Sequence, residues 1–225
     1  MAIVGAAGYA GVELTRLVLG HPRLELVLVT SAADAGRRVD ELYPALAGCD
    51  LVYRAPHVAE IATADVAFLA VPHTAALALV PPLLESRTLV IDASADFRLR
   101  DPAVYEAWYG VTHSAPGLLA EAVYGLPELW RDRLAGARLV ACPGCYPTAT
   151  LLAAAPAIEA GIVTSARVIV DAKSGVSGAG RALASGTHYA HVNESLQAYK
   201  VTSHRHTPEI AQGLTDLGLT DARVT

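Results

Sequence analysis

Short apolar runs alternate along the chain, up to about residue 160, with stretches whose apolar positions recur at helical spacing. Apolar runs long enough for a buried strand cover residues 2–4, 24–30, 65–71, 88–92 and 138–141. Helical patterns cover residues 12–19, 75–84 and 148–155, whereas residues 39–55 are predicted as loop and proline-interrupted residues 101–138 as irregular. This alternation predicts an α/β fold with a doubly wound parallel sheet, whose ligands bind beyond the carboxyl ends of the strands.

A glycine-rich turn joins the first predicted strand to the first helix. Gly5, Gly8 and Gly11 are spaced three residues apart, and the helical pattern begins directly afterwards. Glycines in such a turn let backbone N–H groups approach a pyrophosphate at the helix N-terminus. The order strand, glycine turn and helix therefore predicts a dinucleotide site. The spacing departs from GxGxxG, so an ordinary glycine-rich turn is the alternative.

The end of the second predicted strand indicates which dinucleotide binds. Enzymes that use NAD usually place an acidic residue there, which binds the ribose 2′-hydroxyl. Here the tip is Thr30-Ser-Ala32, and Arg37 and Arg38 follow. A hydroxyl and nearby guanidinium groups suit a 2′-phosphate, so we expect NADP, with Ser31 and Arg37 as ligands. Two solvated loop arginines are the alternative.

Cys145 lies where the strand at residues 138–141 gives way to a helix, and Pro147 suits the first helical turn. The helix dipole and the free N–H groups at such a junction lower a thiol pKa and can hold an oxyanion formed on an attacked carbonyl. The position therefore predicts a nucleophilic cysteine, with an inert buried thiol as the alternative. Cys49, in the loop-like stretch, has no such setting.

The sequence changes character after the helix that follows Cys145. A strand pattern at residues 166–171 precedes a polar, glycine-rich loop at residues 173–181 and the segment His204-Arg-His-Thr-Pro-Glu209. We place a domain boundary near Gly161, with a dinucleotide-binding domain at residues 1–160 and a second domain at residues 161–225.

Composition narrows the classes of protein. Hydrophobic residues make up 53% of the chain and charged residues 17%, which is ample material for a core. The longest apolar runs fall far short of the roughly 18 residues of a membrane-spanning helix, and no signal-peptide pattern opens the chain. A net charge of −5 without a basic cluster argues against nucleic acid as a partner. Three cysteines favour a reducing, cytoplasmic environment over a disulfide framework.

Several motifs occur in order along the chain, at residues 5–11, 71–73, 92–99, 124–128, 143–148, 171–181 and 204–209. Together they closely resemble the N-acetyl-γ-glutamyl-phosphate reductases of arginine biosynthesis, which belong to the aspartate-semialdehyde dehydrogenase group. The resemblance covers essentially the whole chain. It implies a Rossmann-type dinucleotide domain followed by an α+β substrate and dimerisation domain.

The resemblance also implies a reaction, in which NADPH reduces an acyl phosphate to a semialdehyde with release of phosphate. Cys145 would carry a thioester and His206 would act as the base, with His204 as its close rival. The implied cofactor contacts are Gly5, Gly8, Tyr9, Gly11, Ser31, Arg37, Pro72, Ser177 and Gly178. The implied contacts to the small acyl-phosphate substrate are Arg98, Lys173, Ser174, Arg181 and His204. A homo-oligomer is implied for the full-length protein.

Two departures from the family pattern matter. Cys142 stands where the family often has Asn, and the resulting Cys-Pro-Gly-Cys has the spacing of a redox dithiol. A thioredoxin-like oxidoreductase is therefore an alternative, but that fold carries its motif early and needs no dinucleotide turn. Family chains also run well past residue 225, so we expect a fragment whose second domain is incomplete.

Other functions stay open at this level. Within the enzyme class, the substrate could be an aspartate or a carrier-bound aminoadipate derivative. Outside it, a truncated nucleotide-binding protein without turnover would keep the same motifs. His204 and His206, two apart on an extended segment, would point the same way, but Glu209 is the only neighbouring carboxylate, so we expect no metal.

Overall fold

The computed structural model describes all 225 residues, and a six-stranded sheet lies at its centre. The strands are β1 (Ala2–Val4), β2 (Leu28–Thr30), β3 (Val66–Leu69), β4 (Leu89–Asp92), β5 (Val123–Tyr124) and β6 (Leu139–Ala141). Their order is β2-β1-β3-β4-β6-β5, and every neighbouring pair is parallel. The predicted parallel sheet is therefore confirmed.

Helices cover both faces of this sheet. In chain order they are α1 (Tyr9–Leu19), α2 (Val39–Leu42), α3 (Val58–Ile61), α4 (Ala76–Glu85), α5 (Pro102–Tyr109), α6 (Pro127–Trp130), α7 (Cys145–Glu159), α8 (Tyr189–Val192) and α9 (Thr207–Asp216). A separate parallel pair of strands consists of β7 (Arg167–Val168) and β8 (Arg223–Val224). Because both sheet faces are covered, strand residues such as those of β1 are all buried, which explains their continuous apolar runs.

The secondary structure departs from the sequence prediction in several places. The predicted strands at residues 24–30 and 166–171 shorten to β2 and β7. Residues 39–55, predicted as loop, contain α2 and a short 3₁₀ turn. Residues 101–138, predicted as irregular, contain α5, α6 and the edge strand β5. The reason in α5 is that Pro102 occupies the first turn, where proline needs no N–H, and Asp101 caps the helix by accepting from the Ala103 N–H.

Two of the three apolar clusters lie on the two faces of the large sheet, and the third lies between α7 and α9. The third cluster includes Leu151 of α7 and Ile210 and Leu214 of α9. The helices approach closely because Gly213 has no side chain: a Cβ there would lie 2.7 Å from Leu151 Cδ2. An element on each side of the predicted boundary near Gly161 thus contributes to one shared core.

The stretch between these two helices is exposed. No residue from position 156 to position 208 is buried, and large apolar side chains such as Ile169 and Leu183 face solvent. The glycine-rich loop at residues 173–181 belongs to this stretch and contains only a 3₁₀ turn, Val176–Ala179. No helix is both long and apolar enough to cross a bilayer.

Candidate active site

Cys145 is the first residue of α7 and follows β6 after three residues, so it stands at the predicted junction of strand and helix. Gly144 is the N-cap, with extended backbone angles. The Cys145 side chain is exposed, whereas Cys142 is half-buried and Cys49 is buried. Burial, reinforced by the nearby Asp92 carboxylate, raises the pKa of the Cys142 thiol to about 11. At neutral pH Cys142 therefore stays protonated and is a poor nucleophile.

Some backbone N–H groups at the start of α7 have hydrogen-bond partners and others have none. The Gly144 N–H donates to Glu209 Oε1 at 2.9 Å, and the Thr148 N–H makes the first helical bond to the Gly144 carbonyl. Pro147 has no N–H. The N–H groups of Cys145 and Tyr146 are thus the donors left at this helix N-terminus for an anionic ligand.

Glu209 of α9 accepts hydrogen bonds from three sides next to residues 142–144, which join β6 to Cys145 and are called the cysteine loop below. It is 1% exposed. Besides the Gly144 N–H, its Oε1 accepts the Tyr124 hydroxyl at 2.7 Å, and its Oε2 accepts Arg98 Nη1 at 3.3 Å. Burial and the Glu209 charge raise the pKa of Tyr124, so the phenol stays neutral and donates. The motif containing Glu209 is visible in the sequence, but this role was missed because its partners lie far away along the chain.

Arg98 does not take the predicted position of a substrate ligand. Its side chain is 4% exposed. Its Nε donates to the Cys142 carbonyl at 2.7 Å and its Nη2 to the Ala93 carbonyl at 2.8 Å, in addition to the Glu209 pair. A buried guanidinium needs such partners, since an unpaired buried charge is costly. Arg98 therefore ties the end of β4 to the cysteine loop and to α9.

His206 packs directly against the residue before the cysteine. A Cβ on Gly144 would lie 2.7 Å from His206 Cε1, so only glycine leaves room for the imidazole. Burial, with the positive charge of Arg98 next in size, lowers the pKa of His206 to about 3. The ring is therefore neutral at pH 7, and its Nδ1 is buried without a hydrogen-bond partner.

His204 lies beside His206, with ring centroids 4.7 Å apart, and its Nδ1 accepts the His206 backbone N–H at 3.1 Å. The two histidines stand on a turn that leads into α9, not on the extended segment that the spacing predicts. The turn forms because Pro208 occupies the first turn of α9 and His206 is its N-cap. Burial, together with Lys200 and Arg205, also lowers the pKa of His204.

A cleft of about 390 Å³ opens beside this site. It brings together three predicted substrate residues, Lys173, Ser174 and His204. Tyr146, the neighbour of Cys145, lines the same cleft, and its hydroxyl lies 2.5 Å from that of Tyr199. Lys173 pairs with the exposed carboxylate of Asp171 at 2.5 Å. The cleft can thus present a cation, a hydroxyl and an imidazole to one small ligand.

The glycine turn has the close approaches that a dinucleotide site needs. Gly5 has a φ of +81°, and a Cβ there would collide with the Ala70 carbonyl at the end of β3. A Cβ on Gly11 would lie 2.6 Å from Ala6 Cα, so α1 packs tightly on the turn. Gly8 is the N-cap of α1 and Tyr9 its exposed first residue. Pro72, also exposed, follows β3 at the same edge of the sheet.

The end of β2 holds an acidic residue that the sequence reading missed. Asp34 lies four residues past the strand, with its side chain 6% exposed. The Ser31 hydroxyl donates to it at 3.0 Å and Arg37 pairs with it at 3.4 Å, so both predicted ligands contact Asp34. Asp34 was overlooked because an acidic ribose ligand is expected at the last residue of the strand, and Asp34 comes four residues after β2 ends.

Arg181 lies next to the glycine turn and the end of β2, and not in the cleft that holds the other predicted substrate residues. Its Nη2 donates to both Asp34 oxygens, at 3.0 and 2.8 Å, and its Nη1 donates to the Ala7 carbonyl at 3.1 Å. Asp34 follows β2, which is four strand spacings from β6, or roughly 19 Å. Ser177 and Gly178, predicted cofactor contacts, lie in the exposed 3₁₀ turn just before it, and their backbone hydrogen bonds stay within the loop.

Two family models together match nearly the whole chain. Residues 1–137 match the family model described as semialdehyde dehydrogenase, NAD binding domain, and residues 145–225 match the one described as semialdehyde dehydrogenase, dimerisation domain. The chain belongs to the semialdehyde dehydrogenase family. The glycine turn of this family member falls in the first match, and Cys145, His204 and His206 fall in the second.

Individual relatives agree with the resemblance seen in the motifs. This semialdehyde dehydrogenase family member is 54% identical over 215 residues to the N-acetyl-gamma-glutamyl-phosphate reductase of Nitrosococcus oceani, covering 95% of this chain and 63% of that protein. It is 55% identical over 213 residues to the enzyme of that name from Halorhodospira halophila, covering 94% and 62%. The chain thus spans less than two thirds of the length of these relatives.

Solved structures support the fold alone. Aspartate semialdehyde dehydrogenase II from Vibrio cholerae superimposes with a TM-score of 0.56 at 21% identity, over 80% of this chain and 47% of that chain. A second structure of that enzyme gives a TM-score of 0.54 at 19% identity.

Proposed function

We propose that this chain carries the catalytic groups of an N-acetyl-γ-glutamyl-phosphate reductase, which converts N-acetyl-γ-glutamyl phosphate to N-acetylglutamate semialdehyde and phosphate. The observation that carries the proposal is the position of the His206 imidazole against Gly144, the residue directly before the exposed thiol of Cys145. The relatives that bear this enzyme's name support the choice of substrate.

The first step is acyl transfer to sulfur. His206 is the proposed base that takes the Cys145 proton, the N-terminus of α7 stabilises the thiolate, and the thiolate attacks the acyl carbon. A carbon–sulfur bond forms, and the bond from the acyl carbon to the phosphate oxygen breaks, so phosphate leaves with the electron pair. The N–H groups of Cys145 and Tyr146 stabilise the oxyanion. Lys173, Ser174 and His204 hold the anionic groups of the substrate in the cleft.

NADPH, when bound, supplies the hydride that reduces the thioester carbonyl. The chain's own part in the second step is to release the product: the carbon–sulfur bond breaks, the aldehyde leaves, and the Cys145 thiolate is restored. The protonated His206 then returns its proton to the Cys145 thiolate, so that the thiol is regenerated, and the departing phosphate takes from solvent the one proton that the reaction consumes. Buried Glu209 and Arg98 are positioning residues, because they hold the Gly144 N–H and the Cys142 carbonyl on either side of the cysteine loop.

The residues of the first part of the chain fit a dinucleotide. The glycine turn lets the N-terminus of α1 meet a pyrophosphate, with Gly5, Gly8, Tyr9 and Gly11 in contact. Pro72, Ser177 and Gly178 complete the proposed contacts, together with Ser31 and Arg37 near the ribose. NADP is our choice because Asp34 is neutralised by arginines and is not free to bind ribose hydroxyls.

Three further features belong to the proposal. We infer a homo-oligomer, which the dimerisation-domain match supports. We infer a cytoplasmic location, because three unpaired cysteines suit a reducing compartment. We keep the division into residues 1–160 and 161–225, since it falls within five residues of position 156, where the stretch without buried residues begins.

The thioester provides the decisive test. The protein is mixed with N-acetyl-γ-glutamyl phosphate without NADPH, and intact mass followed by peptide mapping locates any acyl group. We expect acylation of Cys145, its loss in Cys145→Ser, and its retention in the control Cys142→Ser. Acylation of Cys142, or none in a protein that still binds NADPH, would refute the proposal. Acylation only by β-aspartyl phosphate would refute the substrate and leave the chemistry intact.

A further inference from the structure

The loop at residues 173–181 is anchored to the sheet by one side chain. Every residue of the loop before Arg181 is exposed. Arg181 nevertheless reaches Asp34 and Ala7, which precede it by 147 and 174 residues. Within the exposed stretch, Arg181 is the residue that donates a hydrogen bond to the glycine turn. The partners of Arg181 therefore indicate which ligand the end of the loop near Arg181 binds.

Asp34 is prevented from acting as the acid of an NAD site. Such an acid accepts hydrogen bonds from the ribose hydroxyls. Here both oxygens of Asp34 already accept hydrogen bonds, from the Ser31 hydroxyl and from Arg37 and Arg181. Two guanidinium groups around one carboxylate leave a local excess of one positive charge. That excess suits a phosphate and is of no benefit to a bare hydroxyl.

The position of Arg181 matches the two anionic groups of a phosphorylated dinucleotide. Ala7 directly precedes the N-cap of α1, where a pyrophosphate binds. Ser31 directly follows β2, where the adenosine ribose binds. Since β1 and β2 are neighbours, a guanidinium that touches Ala7 and Asp34 lies between these two places.

We propose that Arg181 binds the 2′-phosphate of NADPH and is a cofactor-specificity residue, with Asp34 as its positioning residue. The inference rests on the proposed NADP-dependent function and deepens it. Binding brings the loop over the cofactor, because Arg181 ends the loop that begins at the substrate-cleft residue Lys173. The side chain is 35% exposed, so a phosphate can reach it without unfolding the turn.

Binding of NADPH and NADH to Arg181→Ala tests the proposal directly. Equilibrium titrations are followed by nicotinamide fluorescence at two salt concentrations. A charge-assisted hydrogen bond lost to Ala predicts about tenfold or more weaker NADPH binding, with NADH affected less than about threefold. The control is Arg54→Ala, which removes an exposed cation next to β2 that pairs with Glu60 and not with Asp34.

Equal losses for NADPH and NADH would overturn the specificity role, and no loss for either would make Arg181 a purely structural tie. Failure of the unaltered protein to bind either dinucleotide would instead overturn the proposed function. A second readout needs no variant. Trypsin cleavage after Arg181 should be slowed by NADPH much more than by NADH, and equal protection would contradict the proposal.

Discussion

Two ion pairs join α9 to the segment after β4, and they differ in burial. Arg98 and Glu209 have side chains 4% and 1% exposed, whereas Arg100 and Asp216 have side chains 57% and 21% exposed. Both pairs span a similar distance along the chain. They therefore allow the buried pair to be tested by Glu209→Ala, with Asp216→Ala as a matched control on the same helix.

The expected loss of unfolding free energy is several-fold larger for Glu209→Ala than for Asp216→Ala. Glu209→Ala leaves the Arg98 charge buried and removes the acceptor of the Gly144 N–H and the Tyr124 hydroxyl. Breaking a buried pair in this way lowers the free energy of unfolding by about 3–5 kcal/mol. Breaking an exposed pair costs about 0–1 kcal/mol. At roughly 2–4 °C per kcal/mol for a chain of this size, Tm should fall by about 6–20 °C in the first variant and by about 4 °C at most in the second.

The assay is thermal and urea unfolding followed by circular dichroism. Glu209→Gln should lie between the two variants. Its amide oxygen still accepts from Gly144 and Tyr124, but its NH₂ group lies opposite the Arg98 donors. If Asp216→Ala lowers Tm as much as Glu209→Ala does, then Glu209 does not stabilise the junction and our account of the cysteine loop is wrong.

Three further predictions concern the cysteine, its neighbour and pH. Iodoacetamide should label Cys145 faster than Cys142 or Cys49 at neutral pH, because Cys145 is exposed and the pKa of Cys142 is raised to about 11; equal labelling would contradict this. Gly144→Ala should displace His206 and slow thioester formation about tenfold or more, whereas Gly186→Ala, where an added Cβ would contact no atom, should leave the rate unchanged. The measurement is the rate of acylation of the protein, and equal rates in the two variants would contradict the prediction. Lowering pH from 6.5 towards 3 should reduce stability, since the pKa of His206 is lowered to about 3 and the unfolded chain binds the extra proton. Burial raises the pKa of Asp92 to about 6, so Asp92 acts in the opposite sense between about pH 6 and 4. The lowered pKa values of His73 and His204 act in the same sense as that of His206. In urea titrations His206→Ala should therefore weaken the pH dependence, and an unchanged slope would rule out His206 as one of its sources.

The sequence alone was enough to predict those elements whose conformation depends on residues close together in the chain. The buried parallel strands have continuous apolar runs because both sheet faces are covered. The glycine turn and the start of α7 at Cys145 follow from backbone requirements within a few residues. Pro102 shows the limit of such reasoning, since proline interrupts a helix internally but is favoured in its first turn, and the sequence does not say where the helix begins.

Charged residues could not be assigned in the same way, because their partners are remote. Arg98 finds Glu209 across 111 positions, and Arg181 finds Asp34 across 147. A sequence gives each residue's charge but not its burial, and an arginine in a loop next to a site is then interpreted as a ligand. Burial argues against that interpretation for Arg98, and the pairing with Asp34 places Arg181 near the glycine turn and outside the substrate cleft.

These two arginine–carboxylate pairs also explain how the exposed stretch can contribute to the site without a core of its own. No residue between 156 and 208 is buried. The stretch is nevertheless attached to the segment after β2 by the pair of Arg181 with Asp34. The helix α9 that follows it is attached to the segment after β4 by the pair of Glu209 with Arg98. The two attachments should respond differently to salt. Added salt screens the partly exposed Arg181 pair and leaves the buried Arg98 pair almost unaffected. High ionic strength should therefore release the loop at residues 173–181, seen as faster trypsin cleavage after Arg181, while the alkylation rate of Cys145 stays unchanged.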